Sequence, residues 1–205
     1  MSANQALLEQ LGRTDVYLLD QFMKRRFEQP GRVLDAGCGS GRNLDLFLRG
    51  EHEVWIADGN PNALETTRRH AATFGVELPQ ERCFSGPLDE LELPPAHFDT
   101  VLCIAVLHFA RDTPHWNALV DALWQTLAPG GVLFTRLTSS IGIETLVEPL
   151  GNGRHRLGDG SERYLVTLEQ LLEATESRGG ALLEPIKTVN VQSLRCMTTW
   201  CLRKP

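Results

Sequence analysis

The chain has 205 residues, of which 42% are hydrophobic and 22% are charged, and its formal net charge is -6. A chain of this length fits a single domain whose core is large enough to fold without disulfides or a structural metal. Nucleic-acid binding usually requires a basic surface that neutralises phosphates, so the negative charge argues against a nucleic-acid partner. We therefore expect residues 1–205 to form one globular domain.

The cysteines and the N-terminal residues favour a cytoplasmic protein. The five cysteines are odd in number and show no Cys-x-x-Cys spacing, which predicts reduced thiols and neither a disulfide framework nor a metal site. Residues 1–11 lack the basic start and apolar core of a secretory signal. No apolar run approaches the roughly 20 residues that span a bilayer. The sequence gives no indication of the oligomeric state.

Short apolar runs alternate with amphipathic stretches from about residue 32 onward, which predicts strands alternating with helices. The predicted strands span residues 32–35, 53–58, 81–85, 98–104, 132–137, 181–188 and 194–202. The predicted helices span residues 42–49, 60–75 and 113–127 and a segment that begins at residue 167.

Cap residues mark where three of these helices begin, because a side-chain oxygen at the N-cap accepts a free N–H group of the first turn. The predicted caps are Asn60 before Pro61, Thr113 before Pro114, and Thr167 with Gln170 as its capping-box partner. In the last helix we expect Leu168, Leu171 and Leu172 to face the core.

This alternation predicts an α/β fold, a Rossmann-like three-layer sandwich with helices on both faces of a mostly parallel sheet. The two final strands are too close in sequence for a parallel crossover, so the last strand should be antiparallel. Residues 1–30 are expected to form an N-terminal helical cap. Residues 139–166 break the rhythm and contain a Gly-Asp-Gly-Ser turn, which predicts a lid or hairpin insert near the active site, or alternatively a disordered surface loop.

A glycine-rich turn follows the first strand. Gly37, Gly39 and Gly41 separate residues 33–36 from the next helix. Without Cβ atoms, such a turn lets the backbone approach a ligand closely, and the following helix offers unpaired N–H groups. The sequence therefore predicts a ligand site at this turn.

Charge and residue size favour S-adenosylmethionine (SAM) over a nicotinamide dinucleotide at this turn. The dinucleotide fingerprint needs a small residue where this chain has Arg42. The carboxylate of Asp35 would repel a pyrophosphate but suits the ammonium group of a methionine moiety beside a sulfonium. Asp58 ends the second strand, where an acid can accept hydrogen bonds from an adenosine ribose; alternatively, Asp58 only caps the following helix.

Four segments together resemble the class I SAM-dependent methyltransferases. Residues 35–41 resemble motif I, and residues 55–58 resemble the acidic end of the second strand. Residues 98–103 with Leu107 and His108 resemble the fourth strand and motif IV, and residues 127–134 resemble the turn into the fifth strand. Residues 37–43 also resemble the tellurite-resistance type. The resemblance covers about residues 30–137 and implies a seven-stranded sheet with an antiparallel last strand.

The resemblance implies a set of residues that bind SAM or its product S-adenosylhomocysteine (SAH). These are Tyr17, Asp35, Gly37, Cys38, Gly39, Gly41, Asp58, Gly59, Asn60, Ser85, Gly86, Pro87, Ile104 and Ala105. Tyr17 would lie over the cofactor, or alternatively pack in the core. The acid that usually ends the third strand is absent, which leaves adenine recognition to backbone groups or to Ser85.

The candidate catalytic and substrate residues lie outside the glycine turn. Methyl transfer depends on positioning, because the cofactor already carries an activated methyl group, and a base is needed only for a protonated nucleophile. His108 follows the fourth strand and is the candidate base, or alternatively it only hydrogen-bonds the loop. Arg136, His155 and Arg195 are candidates for substrate binding, with ordinary surface charges as the alternative, and a buried arginine would indicate an anionic substrate.

Three functions remain open at this stage. The first is methyl transfer from SAM to a small molecule. A small acceptor is favoured over nucleic acid because residues 103–106 lack the signature of enzymes that methylate nucleic-acid amines. The second is a catalytically inactive SAM-binding module with a regulatory role. The third, a nicotinamide-dependent reductase, is disfavoured by Asp35 and Arg42.

Overall fold

The computed structural model describes residue 5 and residues 11–205. The helices are α1 (Val16–Met23), α2 (Asp45–Arg49), α3 (Pro61–Ala72), α4 (Thr113–Thr126) and α5 (Leu168–Ser177). The strands are β1 (Arg32–Ala36), β2 (Glu53–Asp58), β3 (Cys83–Ser85), β4 (Phe98–Ile104), β5 (Leu127–Ser139), β6 (Glu148–Gly151), β7 (Arg154–Arg156), β8 (Glu162–Tyr164), β9 (Ala181–Leu182), β10 (Lys187–Val191) and β11 (Arg195–Arg203). Short 3-10 helices span Gln80–Arg82, Leu88–Glu90 and Leu107–Phe109.

The central sheet has the strand order β10-β11-β5-β4-β1-β2-β3, with the two-residue strand β9 also paired to β11. Strands β1 to β5 of this sheet pair in parallel, whereas β11 is antiparallel to β5 and to β10. The mostly parallel sheet with an antiparallel last strand is therefore confirmed, but within the described residues the sheet has eight strands and not the predicted seven, because residues 181–182 pair separately with β11.

Helices cover both faces of this sheet. On one face, alternate strand residues such as Leu34 pack with Trp116 of α4 and Leu171 of α5. On the other face, neighbours such as Val33 pack with helices α1, α2 and α3, for example through Leu18. This separation follows from the alternation of side chains along a strand and confirms the predicted three-layer sandwich.

Several predicted element boundaries were wrong. Residues 80–82 form a 3-10 helix, so the third strand is only three residues long. The fifth strand extends over residues 127–139, and the predicted strand 181–188 is split into β9 and β10. The second helix begins at Asp45, because residues 41–44 form a tight turn in which the Leu44 N–H donates to the Gly41 carbonyl at 3.0 Å.

The cap of α3 is confirmed, but the predicted cap of α4 was wrong. Asn60 accepts the Asn62 N–H at 3.0 Å. In α4 the cap is Asp112, which accepts the His115 N–H at 2.8 Å, so Thr113 is already the first helical residue.

The last helix, α5, begins where it was predicted to begin, but the face that it buries differs from the predicted one. Thr167 accepts the Gln170 N–H at 3.1 Å, whereas the Gln170 amide donates to the Tyr164 hydroxyl at 2.7 Å and does not complete a capping box. Leu171 is buried, but Leu168 and Leu172 are 40% and 44% exposed, contrary to the prediction. The buried stripe instead continues from Leu171 through residues 174 and 175.

The insert at residues 139–166 is folded. Strands β6, β7 and β8 form a small antiparallel sheet, and Leu157 and Leu165 contribute to a separate apolar cluster. Arg154 Nη1 donates to the Ala110 carbonyl at 3.2 Å, which attaches the insert to the loop after β4. The insert is thus an ordered hairpin structure next to the carboxyl ends of the strands.

Two further observations concern the described residues only. None of their helices combines the length and hydropathy needed to cross a membrane. They also contain no cluster of three or more histidine, cysteine or acidic side chains suited to a metal ion. Of the predicted N-terminal cap, the described part contains α1, and residues 1–4 and 6–10 lie outside the described residues.

Candidate active site

A pocket of about 380 Å³ opens at the carboxyl ends of β1, β2 and β4. Strand β1 lies between β2 and β4, so the strand order changes direction here, which is where open α/β sheets bind ligands. The pocket is lined by Gly37, Ala57, Asp58, Gly59, Gly86, Pro87, Leu88, Asp89, Leu91, Ile104, Ala105, Val106, Phe109, Arg111, His115 and Leu119. Seven of the predicted cofactor-binding residues are therefore brought together in one concave site.

The glycine turn is fixed by close packing at Gly37. Its φ is 87°, and a Cβ atom there would lie 2.2 Å from Val106 Cγ2. The N–H groups of Gly37 and Cys38 both donate to the Ala57 carbonyl, at 2.7 and 3.1 Å. At Gly39, with φ 56°, an added Cβ would have no neighbour within 4 Å. The turn is thus tied to β2 and β4 on one side and open on the other.

Two other predicted loop residues lie beneath the turn, outside the pocket lining. The Thr67 hydroxyl contacts Cys38 Sγ at 3.5 Å, and burial raises the pKa of the Cys38 thiol to about 12. Gly41 has φ 76°, and a Cβ atom there would lie 2.9 Å from Thr67 Cγ2. These residues pack the turn against α3.

Asp35 is a buried carboxylate that has no hydrogen-bond donor among the described residues. Its exposed fraction is 1%; it lies two residues before Gly37 in the chain and is not itself among the residues that line the pocket. Burial, and then the charge of Asp58, raises the pKa of Asp35 to about 7, although Arg42 opposes the shift. Burying an unpaired carboxylate is unfavourable, so this group fits a cationic ligand such as an ammonium.

Asp58 connects the glycine turn to the start of α3. Its Oδ2 accepts the Gly39 N–H at 2.9 Å, and its Oδ1 accepts the Asn60 N–H at 2.8 Å. The helix cap itself is supplied by Asn60, which does not line the pocket. Each carboxylate oxygen has a second acceptor direction, so Asp58 can also accept a ribose hydroxyl from the pocket side.

Asp89 and His115 were missed by the sequence analysis. Both line the pocket, and Asp89 Oδ2 lies 3.4 Å from His115 Nε2. His115 Nδ1 accepts the Arg111 N–H at 3.0 Å, so this hydrogen bond assigns the ring proton to Nε2, facing Asp89. Asp89 follows the third strand by four residues, and that acid was the available signal. Ser85, the predicted alternative, is exposed and outside the lining.

The loop after β4 forms the floor of the pocket. Ala105 has φ 63°, an uncommon conformation for a residue with a Cβ atom. Its N–H donates to the Arg136 carbonyl at 2.7 Å, which holds the bend against β5. Locally strained backbone of this kind is frequent in functional segments. Ile104 and Ala105 thus line the pocket, and their place beneath the sulfonium stays a prediction.

His108 lies behind this floor and does not line the pocket. Its exposed fraction is 6%, and Nδ1 has no partner among the described residues. Burial, and then the charge of Arg163, lowers the pKa of His108 to about 4, so the ring is neutral at physiological pH. The role of His108 as a base stays a prediction.

Tyr17 and Arg136 form a separate group next to the pocket. The Arg136 side chain is buried, with Nη1 donating to Asp15 Oδ2 at 2.8 Å. Its guanidinium lies over the Tyr17 ring, 4.4 Å from the centroid. The Asp15 N–H donates to Asn43 Oδ1 at 3.1 Å. This group therefore joins α1 to β5 and to the segment after the glycine turn.

The other two predicted substrate residues lie in or beside the insert, away from the pocket lining. His155 is on β7, where its Nδ1 contacts the Gly153 carbonyl at 3.1 Å. Arg195 begins β11 at the surface and pairs with Asp159 at 3.7 Å. Their roles in substrate binding stay predictions.

Comparisons with known proteins agree with this geometry. A family model described as a methyltransferase domain matches residues 33–131. The ubiquinone biosynthesis O-methyltransferase of Paracidovorax citrulli is 30% identical over 164 residues, which cover 74% of this chain and 67% of that protein. The corresponding protein of Xylella fastidiosa strain M23 is 30% identical over 150 residues, covering 69% of this chain and 59% of the relative. The chain belongs to the class I SAM-dependent methyltransferases.

Solved structures share the fold at low sequence identity. The PH0226 protein of Pyrococcus horikoshii OT3 has a TM-score of 0.70 and 16% identity, with 100% of this chain and 92% of that chain covered. The 1,6-didemethyltoxoflavin-N1-methyltransferase of Burkholderia thailandensis, solved with its substrate and SAH, has a TM-score of 0.65 and 21% identity, with 90% and 75% covered.

Proposed function

We propose that this chain transfers the methyl group of SAM to a small-molecule acceptor by in-line displacement. The observation that carries the proposal is Asp35, a buried carboxylate without a donor among the described residues, two positions before Gly37, where a Cβ atom would clash with Val106. A negative group at this place suits the ammonium of a methionine moiety and opposes the pyrophosphate of a dinucleotide.

The lining residues, together with the buried Asp35, divide the proposed cofactor site into parts. Asp35 and the glycine turn would hold the amino-acid end, and Asp58 would accept the ribose hydroxyls. Gly86, Pro87 and Asp89 would surround the adenine. Bound SAM supplies a methyl group already activated by its sulfonium. The chain's own contribution is to bind, to orient the acceptor over Ile104 and Ala105, and to exclude water.

A base is required only for an acceptor that enters protonated, and His108 is our candidate. Its neutral ring can take up a proton, but its lowered pKa makes it a weak base. If His108 acts as the base, His108→Gln should lower kcat without changing the Kd of SAH. If kcat is unchanged, His108 only supports the loop.

The acceptor is proposed to be a small molecule and the protein to be cytoplasmic. The relatives carry names of an O-methyltransferase and an N1-methyltransferase, so oxygen and nitrogen are both candidate acceptor atoms. The net charge of -6 argues against nucleic acid.

Calorimetry followed by turnover assays tests this function. The chain should bind SAM and SAH, and it should not bind NAD or NADP. Release of SAH with members of a metabolite panel should then identify the acceptor class. Clear NAD binding without SAH binding would contradict the proposal, whereas SAH binding without turnover across the panel would favour a regulatory module.

A further inference from the structure

The buried guanidinium of Arg136 has a hydrogen-bonding group that no described residue uses. Nη1 is paired with Asp15, and the Tyr17 ring covers one face of the guanidinium. Nε is buried and has no acceptor among the described residues. Arginine keeps its charge at any physiological pH, and a buried donor without an acceptor is unfavourable. Nε therefore suits a ligand oxygen.

A second buried donor lies next to this pair in the chain. The hydroxyl oxygen of Thr14 is buried and, within the described residues, has no hydrogen-bond partner. Thr14 directly precedes Asp15, which caps α1 by accepting the Tyr17 N–H at 2.9 Å. The contact of Asp15 with Asn43 fixes this segment near the glycine turn. Thr14 is thus adjacent in the chain to the carboxylate that pairs with Arg136 Nη1.

Strand register places Arg136 on the same face of the sheet as Asp35. Asp35 pairs with Leu102, Leu102 pairs with Phe134, and Ile104 pairs with Arg136. Alternate residues of a strand share a face, so Arg136 and Asp35 lie on the same face of the sheet. Arg136 is two strands away from Asp35 and two residues further toward the carboxyl ends of the strands. The standard spacings put their Cα atoms about 12 Å apart. A buried carboxylate and a buried donor group therefore lie on the same face of the sheet, close enough for their side chains to contact one ligand.

We propose that Arg136 Nε and the Thr14 hydroxyl form a subsite that binds a carboxylate of a bound ligand. The inference rests on the proposed function, because it concerns a ligand of the same site. The carboxylate belongs either to the amino-acid end of the cofactor or to the acceptor. Asp15 balances the guanidinium charge, so the subsite distinguishes ligands by their acceptors: a carboxylate offers one oxygen to each donor, whereas an amide offers a single oxygen and an NH2 group that is itself a donor.

The first experiment titrates SAH and 5′-methylthioadenosine, which lacks the amino-acid end, into wild type and two variants. Arg136→Lys keeps a cation for Asp15 but removes Nε, and Thr14→Val keeps the side-chain shape but removes the hydroxyl. If the cofactor supplies the carboxylate, SAH affinity falls about tenfold or more in Arg136→Lys and about fivefold in Thr14→Val. The affinity for 5′-methylthioadenosine then stays unchanged in both.

A matched control is Arg178→Lys. Arg178 pairs with Asp121 at 2.7 Å on the opposite face of the sheet, where α4 and α5 pack. This variant should bind both nucleosides like wild type. Thermal melting of each variant shows whether the fold is retained, and the comparison between the two nucleosides separates a lost subsite from general damage.

The second experiment identifies an acceptor carboxylate. Protein saturated with SAH is titrated with benzoate and with the neutral benzamide. If the acceptor supplies the carboxylate, wild type binds benzoate in preference to benzamide, and Arg136→Lys and Thr14→Val lose that preference. The proposal is overturned if both variants bind SAH as tightly as wild type does and, in addition, SAH-loaded wild type either does not prefer benzoate to benzamide or shares that preference equally with both variants. Failure of wild type to bind SAH would instead contradict the proposed function, and this subsite with it.

Discussion

At the scale of single residues, the buried carboxylate of Asp35 destabilises the ligand-free protein, and we expect a bound cation to offset this cost. The folded state raises its pKa from 3.8 to about 7, so the folded chain keeps a proton that the unfolded chain has released. This contribution of Asp35 to folding is therefore intact below pH 4 and is lost as the pH rises toward 7.

Asp35→Asn should stabilise the ligand-free protein and weaken SAH binding. At pH 8 the variant avoids a buried charge worth up to about 4 kcal/mol, so its Tm should rise by several degrees. At pH 4 the Tm values of variant and wild type should be similar. Thermal melts at both pH values and calorimetry with SAH provide the measurement. A Tm at pH 8 below that of wild type would contradict our explanation of the raised pKa.

Asp89 is the residue that we expect to read the adenine amine. Its carboxylate lines the pocket, and its Oδ2 lies 3.4 Å from His115 Nε2. Wild type should bind SAH about tenfold or more tightly than S-inosylhomocysteine, because a carbonyl replaces the amine that donates to the carboxylate. Asp89→Asn should remove most of this preference, whereas Glu90→Gln, at the exposed neighbouring acid, should retain it. An unchanged ratio of the two Kd values in Asp89→Asn would exclude the assignment.

At the scale of elements, the packing of the glycine turn against the loop after β4 links two parts of the site. Gly37→Ala should abolish SAH binding and destabilise the fold by about 2–4 kcal/mol, from the positive φ and the contact with Val106 Cγ2. Gly75→Ala is the control, because Gly75 also has a positive φ of 74° but no atom within 4 Å of the added Cβ. It should cost about 1 kcal/mol and leave binding unchanged.

The double variant Gly37→Ala with Val106→Ala tests the contact itself. Removing Cγ2 of Val106 leaves only the backbone cost at Gly37, so part of the stability lost in Gly37→Ala should return. Urea unfolding of wild type, the two single variants and the double variant measures this difference, because Val106→Ala has a cost of its own. If Gly37→Ala costs as much in the Val106→Ala background as in wild type, the clash contributes nothing.

At the scale of the whole molecule, the parallel sheet was predictable because its strands are buried on both faces and read as apolar runs. The sheet of the insert was not, since the residues of β6 are all exposed and carry no apolar alternation. The positions of the glycine turn and of Asp58 at the pocket were also predictable, because the same residues form the local turn between strand and helix and line the pocket.

The remaining parts of the site depend on contacts that no local pattern encodes. Asp89 and His115 come together from a 3-10 helix and from α4. Arg136 was singled out from its position at a strand end, but its pairing with Asp15 joins residues 121 positions apart. Asp112 and Thr113 are adjacent, and the side chain of either can cap a helix. Asp112 caps α4, whereas Thr113 accepts a hydrogen bond from the Tyr164 hydroxyl.

The most direct test of the central claim is the pH dependence of SAH affinity. Because Asp35 must be ionised to pair with the ammonium of SAH, wild type should bind SAH about tenfold more weakly at pH 6 than at pH 8. Asp35→Asn should show a flat profile, and 5′-methylthioadenosine, which has no ammonium, should bind wild type equally at both pH values. SAH affinity in wild type that does not change between pH 6 and pH 8, or that changes equally in Asp35→Asn, would contradict the account.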